Sequence, residues 1–203
     1  ILRDFEFKTH ELLFTTRLRK SSFVFGRFLG AWIVTVLVLS CCALGLWLGS
    51  HMPWLDQERL GPGVAGMYLR PILLYVLPDA VFTCALFFAV GVLTRSFLAV
   101  YIQGVVLFVG WQIAVSSISD IDNETLAALI DPFGVTASGL VGRYWTVDEQ
   151  NNQLMGLVGP LLWNRLLWLA IGVVVLLGAY RMFRMEAFPG TRKRARAVKD
   201  EAA

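Results

Sequence analysis

Four long apolar runs are the dominant feature of this sequence. They cover about residues 28–48, 71–93, 97–115 and 166–183, and each approaches the roughly 20 residues that an α-helix needs to cross a bilayer. Runs that are apolar on every side belong in lipid or in a large core, and a chain of 203 residues cannot form four such cores. The pattern therefore predicts an all-α, polytopic membrane protein with four transmembrane helices.

The composition supports this prediction. Hydrophobic residues make up 57% of the chain and charged residues 16%, with a mean hydropathy of +0.63. Soluble globular proteins usually contain about 45–50% apolar and about 25% charged residues. This much apolar surface is difficult to bury in a soluble enzyme of this length, and disordered chains are poor in apolar residues. The composition argues against a soluble enzyme and excludes a disordered chain.

The charged residues divide unevenly between the two membrane sides that four crossings define. The side with both chain ends carries 14 basic and 6 acidic residues, and the opposite side carries 4 basic and 8 acidic residues. Basic residues accumulate on the cytoplasmic side of membrane proteins. We therefore expect both ends to be cytoplasmic, with an N-terminal region at residues 1–26, a transmembrane domain at 27–184 and a basic tail at 185–203.

The long segment at residues 116–164 is expected to form short helices at the outer membrane interface. Asn123 is a candidate helix cap, and Pro132 would end the helix that begins there. Thr146 and Glu149 have the spacing of a capping box, which predicts a second short helix. We expect this second helix to carry four apolar residues toward the membrane, namely Leu154, Met155, Leu157 and Val158.

Recognisable catalytic motifs are absent from the sequence. No phosphate-binding loop of the Gly-x-x-x-x-Gly-Lys-Ser/Thr type is present. His10 and Glu11 begin like the zinc-binding pattern His-Glu-x-x-His, but the second histidine is missing. The three cysteines lie in apolar runs without the spacing of metal ligands. We therefore expect no catalytic residue, no metal, no cofactor and no nucleic-acid partner.

Residues 5–20, ahead of the first apolar run, mix aromatic and aliphatic residues with charged ones. This stretch is too polar to span a membrane and too apolar for a solvated tail. It fits an interfacial helix whose basic end lies at the lipid headgroups. It also fits a helix that docks into a groove of a cytoplasmic partner. Composition alone favours the interfacial helix, and both interpretations remain open at this point.

One motif in this region resembles the permease subunits of type-2 ATP-binding cassette (ABC) exporters. Their Glu-Leu-Leu-x-(Ser/Thr)-Thr-Pro segment, followed by basic residues, precedes a membrane helix, although Arg17 stands here in place of the usual proline. Several later stretches look like the bacterial permeases that are fused to a zinc aminopeptidase-like domain. The matching stretches are Glu11-Leu12-Leu13-Phe14-Thr15-Thr16, Arg19-Lys20, Phe25-Gly26-Arg27-Phe28-Leu29-Gly30, Met52-Pro53-Trp54, Asp131-Pro132-Phe133-Gly134, Arg143-Tyr144-Trp145-Thr146 and Trp163-Asn164-Arg165-Leu166-Leu167-Trp168-Leu169.

The resemblance implies a multi-pass permease of the bacterial inner membrane, with two further helices ahead of Ile1. It would pair with a second permease half, as a homodimer or heterodimer, and couple ATP hydrolysis on a cytoplasmic ATPase subunit to export. Residues 5–20 would contain the coupling helix, with Glu11 and Arg19 as polar contacts to the ATPase and Leu12, Leu13 and Phe14 as apolar anchors. Two alternatives remain: a membrane anchor for a peptidase-like soluble domain, and an ATP-independent carrier or channel.

Three polar residues fall inside or at the end of the apolar runs and are candidates for intramembrane contacts. Asp79 would either line a transport pathway or make a structural hydrogen bond, because a carboxylate at this depth requires a partner or a cavity. We expect Arg165 to extend toward the headgroups, and the alternative is an ion pair with Asp79 or an outer acid. Gln103 is expected to hydrogen-bond between helices.

Overall fold

The computed structural model describes residues 18–54, 64–118 and 124–183, together with Leu2 and Phe7. These ranges are predominantly helical and contain no strand, so the predicted all-α class is confirmed for them. Seven helices follow in chain order within these ranges: α1 (Lys20–Ser50), α2 (Ala65–Thr94), α3 (Phe97–Ile118), α4 (Glu124–Ile130), α5 (Val135–Gly142), α6 (Val147–Asn152) and α7 (Gly159–Met182).

Three of the described helices, α1, α2 and α7, are long and apolar enough to cross a membrane. Helix α3 is apolar over the shorter stretch Phe97–Ile113. These helices indicate a membrane protein. The first and last helices begin earlier than their apolar runs predict, because polar residues such as Lys20 and Arg165 continue the helix.

Helix α2 is continuous but changes its winding near its two prolines. Its central turn, Ile72–Val76, is a π-helix, in which Leu77 N donates to Ile72 O instead of to the carbonyl of residue 73. Pro78 follows at once, and a proline has no N–H and crowds the carbonyl four residues before it. The π-helical turn therefore lies where proline interrupts the regular hydrogen bonds of the helix. Tyr75 belongs to this turn and lies one turn before Asp79.

Helices α2 and α7 form the centre of the bundle and approach each other closely at Gly172. A Cβ atom at this position would lie 3.1 Å from the Phe82 Cα atom and 3.3 Å from its backbone nitrogen. Helix α1 packs across this pair through Phe28, which contacts Ala85 and Leu176. A second apolar cluster joins the start of α1 to the end of α7, and it contains Phe23, Val24, Val92 and Phe183.

The short helices α4, α5 and α6 lie between α3 and α7 in the chain. Helix α4 ends at Ile130, two residues before Pro132, as predicted, whereas Asn123 lies outside the described residues. The predicted capping box is confirmed: Thr146 Oγ1 accepts from Glu149 N, and Glu149 Oε2 accepts from Thr146 N at 2.8 Å. The hydrogen bonds from the backbone and side chain of Thr146 lower the pKa of Glu149.

The expected extension of α6 through Val158 is wrong. The helix ends at Asn152, and residues 153–158 are not helical. Gln153 is extended, and Gly159 has a left-handed backbone with φ of 54° at the point where α7 begins. Helix α6 consists of polar residues after its first position. It therefore has no apolar face whose packing would stabilise a longer helix.

We predict that Gly172→Val destabilises the protein by about 1–3 kcal/mol, because a branched side chain would press on the backbone of α2. Gly178→Val is the matched control, since nothing lies within 4 Å of the Cβ position at Gly178 on the same helix. Thermal unfolding in detergent measures both variants. Equal melting temperatures for the two variants would show that the α2–α7 contact is not tight.

Candidate functional site

A cluster of buried polar residues lies where α2 and α7 meet the loop between α4 and α5. In the described part of the chain, the buried polar side chains are Asp131, Asn164 and Arg165, with exposed fractions of 1%, 0% and 3%. Asp79 and Tyr75 of α2 contact the same Arg165 guanidinium. We call these five residues the polar cluster. Such groups are costly to bury unless their hydrogen bonds are satisfied.

Arg165 is the centre of the polar cluster. Its Nη1 atom donates to Asp79 Oδ1 at 2.6 Å. Its Nε and Nη2 atoms donate to Asn164 Oδ1 at 3.0 and 2.7 Å, and the guanidinium lies over the Tyr75 ring at 5.5 Å. The expectation that Arg165 extends toward the headgroups is therefore wrong. The side chain turns inward because a carboxylate, an amide oxygen and an aromatic face replace water there.

Two side chains of α7 bind the end of α4. Asn164 Nδ2 donates to Ala128 O at 2.6 Å and to Asp131 O at 2.7 Å. Trp168, one turn further along α7, donates from Nε1 to Leu129 O at 2.9 Å. The last carbonyl groups of a helix have no partner within the helix itself. Helix α7 therefore caps α4 and attaches the segment between α3 and α7 to the bundle.

Asp131 organises the turn that connects α4 to α5. Its Oδ1 atom accepts from Phe133 N at 3.0 Å and from Trp111 Nε1 at 3.2 Å. Its Oδ2 atom accepts from Thr136 N at 2.8 Å, at the start of α5. Three N–H donors compensate the buried carboxylate. Since Trp111 belongs to α3, Asp131 also connects α3 to this turn.

Gly134 leaves space for the guanidinium of Arg165. A Cβ atom at this residue would lie 1.8 Å from Arg165 Nη2, a distance that no pair of unbonded atoms tolerates. The backbone of Gly134 is also left-handed, with φ of 70°, which favours glycine. The turn and the buried arginine therefore depend on the same residue.

Tyr75 extends the cluster toward α5 and the segment after α6. Its hydroxyl group lies 2.6 Å from Ser138 Oγ and donates to Met155 Sδ at 3.3 Å. Ser138 Oγ in turn donates to Gly134 O at 2.6 Å. The π-helical turn of α2 is thus tied to the same loop that holds Arg165.

These contacts hold the helices in place. Among the described residues, no group of three or more His, Cys, Asp or Glu side chains is arranged to hold a metal ion. Asp79 and Arg165 neutralise each other, and the Asp79 side chain remains 19% exposed. The geometry favours the structural interpretation of Asp79, and its role in a transport pathway stays a prediction.

The other predicted site residues lie outside this cluster. Within the described chain, no hydrogen bond joins Gln103 to Asp79 or Arg165, and Gln103 Oε1 is buried without a hydrogen-bond partner. The hydrogen bond predicted between helices is therefore not made by this oxygen. Arg19 is exposed and precedes α1, where Phe23 N donates to its carbonyl at 3.1 Å. Four predicted ATPase contacts lie outside the described residues: Glu11, Leu12, Leu13 and Phe14.

Sequence reasoning missed the roles of Asn164, Asp131, Gly134 and Tyr75. The sequence contained a signal for three of these residues. Asp131 and Gly134 belong to an Asp-Pro-Phe-Gly stretch that is rich in turn-forming residues, and Asn164 lies beside Arg165 at the edge of an apolar run. Nothing in the sequence marks Tyr75, because a lone tyrosine in a span is usually ordinary packing or an interfacial residue.

No family model matches this chain, and neither a curated protein nor a solved structure is significantly similar to it.

We predict that Arg165→Gln lowers stability by about 3–5 kcal/mol, because it leaves the Asp79 carboxylate without its counter-charge. Arg143→Gln is the control, since Arg143 is exposed and pairs with Glu124 at the surface. The double variant Asp79→Asn/Arg165→Gln should recover part of the loss. Thermal unfolding in detergent measures the stability of these three variants and of the single variant Asp79→Asn, which completes the cycle. A loss in the double variant equal to the sum of the two single losses would contradict the proposed coupling.

Gly134→Ala should destabilise the protein by at least about 1–3 kcal/mol, because it combines left-handed strain with displacement of the arginine. Gly139→Ala is the matched control on α5, where nothing lies within 4 Å of the Cβ position. The melting temperatures of the two variants, measured by thermal unfolding in detergent, show how much stability each substitution costs. A Gly134→Ala variant as stable as the control would refute the tight fit of Arg165.

Proposed function

We propose that this chain is the permease part of an ABC exporter in the bacterial inner membrane. The observation that carries the proposal is a bundle of apolar helices whose buried polar groups are used for packing. In the sequence, α1 follows shortly after residues 11–16, which resemble the coupling segment of these permeases. In this function the chain itself performs no chemistry. ATP hydrolysis on a separate subunit supplies the energy that moves an unidentified substrate.

The inner end of the bundle offers a route for this coupling. Helix α1 begins at Lys20, only a few residues after the predicted anchors, and Lys20 Nζ lies 4.6 Å from the Tyr180 ring centroid of α7. Lys20 Nζ also donates to Arg181 O at 3.5 Å, and the rings of Phe23 and Phe183 stack at 6.0 Å. A displacement of the docked segment would therefore act on α1 and α7 together.

The proposal includes four crossings, with α3 as the third span and both chain ends in the cytoplasm. The uneven distribution of basic residues supports this orientation. Helices α4, α5 and α6 would then lie at the outer interface, held there by the polar cluster. The exposed apolar surfaces of α1 and α3 would face lipid or a second permease half.

Leu13→Asp or Phe14→Asp in the full-length protein should dissociate or uncouple the ATPase subunit, because a charge would enter an apolar groove. Phe7→Asp is the matched control, since it makes the same change in the same segment outside the motif. Affinity purification in detergent, identification of the nucleotide-binding subunit and an ATPase assay measure the effect.

Normal subunit stoichiometry together with transport-stimulated ATP hydrolysis in both aspartate variants would refute the coupling role. If the wild-type protein brings down no nucleotide-binding subunit, the exporter assignment fails. The alternatives then to be tested are an anchor for a soluble domain and an ATP-independent carrier or channel.

A further inference from the structure

A half-open cleft of about 260 Å³ separates the first turns of α2 from the segment that follows α6. Met67, Arg70 and Leu74 line one wall, and Gln150, Gln153 and Met155 lie on the other. Tyr75 closes one end, where its hydroxyl group reaches Met155 Sδ at 3.3 Å. The cleft is therefore adjacent to the polar cluster but is not part of it.

Among the described residues that line the cleft, the only charge is positive. Arg70 is the one charged residue of its lining. Asp148 and Glu149 of the neighbouring helix α6 keep their negative charges but do not line the cleft. Their carboxylates accept from Asn152 Nδ2 at 2.7 Å and from Thr146. The electrostatic character of the described lining thus favours an anion.

Arg70 is held in a fixed orientation. Its Nη1 atom donates to Leu154 O at 3.1 Å and to Met155 O at 2.9 Å. In the described part of the chain, Nε and Nη2 make no hydrogen bond, so these donors remain for a ligand. A guanidinium group binds phosphate oxygens especially well because its donors form a planar fork.

The remaining lining is amphipathic. Asn151 and Gln153 supply amide groups that can donate to further oxygens, whereas Gln150 Nε2 already donates to Trp145 O at 3.3 Å. Met67, Leu74 and Leu154 supply an apolar surface. The cleft lies along the first turns of α2, a helix that is long and apolar enough to span the membrane. A ligand there would meet both polar groups and the edge of the apolar layer.

We propose that this cleft binds a phosphate ester group, carried by an anionic phospholipid at the membrane surface. Arg70 provides the charge and the planar fork of donors, and the amides of Asn151 and Gln153 bind the remaining oxygens. The apolar wall accommodates the first part of the lipid chains. The volume of the cleft suits a headgroup and not a whole lipid. This site is independent of the ATPase, since binding requires no nucleotide.

The test is a titration of the purified full-length protein, in a neutral detergent, with fluorescent phosphatidylglycerol. Arg70→Gln should weaken binding at least tenfold, and Arg70→Lys should have an intermediate effect because it keeps the charge but loses the fork. Arg143→Gln, an exposed arginine outside the cleft, should change the affinity by less than twofold. Equal affinities of wild type and Arg70→Gln, or an equal loss in Arg143→Gln, would overturn the proposal.

Arg70→Gln also loses the hydrogen bonds to the carbonyl groups of residues 154 and 155, so this variant could fail to fold. A second variant tests the site without that change. Asn151→Asp leaves those contacts intact and places a negative charge at the rim, so it should weaken phosphatidylglycerol binding with an unchanged melting temperature. Unaltered binding by a folded Asn151→Asp variant would contradict the site. Competition by millimolar inorganic phosphate would assign the cleft to free phosphate, and its absence would assign it to the lipid headgroup.

Discussion

The buried guanidinium of Arg165 is the constraint on which the rest of this structure depends. A positive charge with 3% exposure requires partners on every side, and these partners come from α2, from α7 itself and from the turn before α5. Asp79 supplies the counter-charge, Asn164 the amide oxygen and Tyr75 the aromatic face. Gly134 supplies the space. The positions of α2, α7 and the turn before α5 are thus coupled through one side chain.

This coupling explains why an irregular helix and an irregular loop occur side by side. The π-helical turn of α2 carries Tyr75 toward Ser138, and the Asp131 turn brings Gly134 over Arg165. Because Asn164 and Trp168 cap α4, this short helix is bonded directly to α7, which is long and apolar enough to span a membrane. Motion of α7 would therefore be transmitted to this segment, and the proposed exporter function requires such transmission.

The two proposals concern opposite ends of the same bundle. At one end, Lys20 and the Phe23–Phe183 stack connect the start of α1 to the end of α7, and the predicted ATPase contacts precede Lys20 in the sequence. At the other end, Arg70 lies in a cleft between α2 and the segment after α6, and Tyr75 belongs both to the lining of this cleft and to the polar cluster. The same two central helices, α2 and α7, connect both ends.

The sequence by itself determined the helical class, the location of the apolar helices, the end of α4 and the capping box of α6, because these depend on neighbouring residues along the chain. It did not determine the direction of the Arg165 side chain, because hydropathy is compatible both with an extension toward the headgroups and with an inward ion pair. Its partner Asp79 lies 86 residues away in the chain, and only the packing of α2 against α7 brings the two together. Tyr75, Asn164 and Gly134 likewise acquired their roles from the tertiary structure, since each of them acts through a residue on another element.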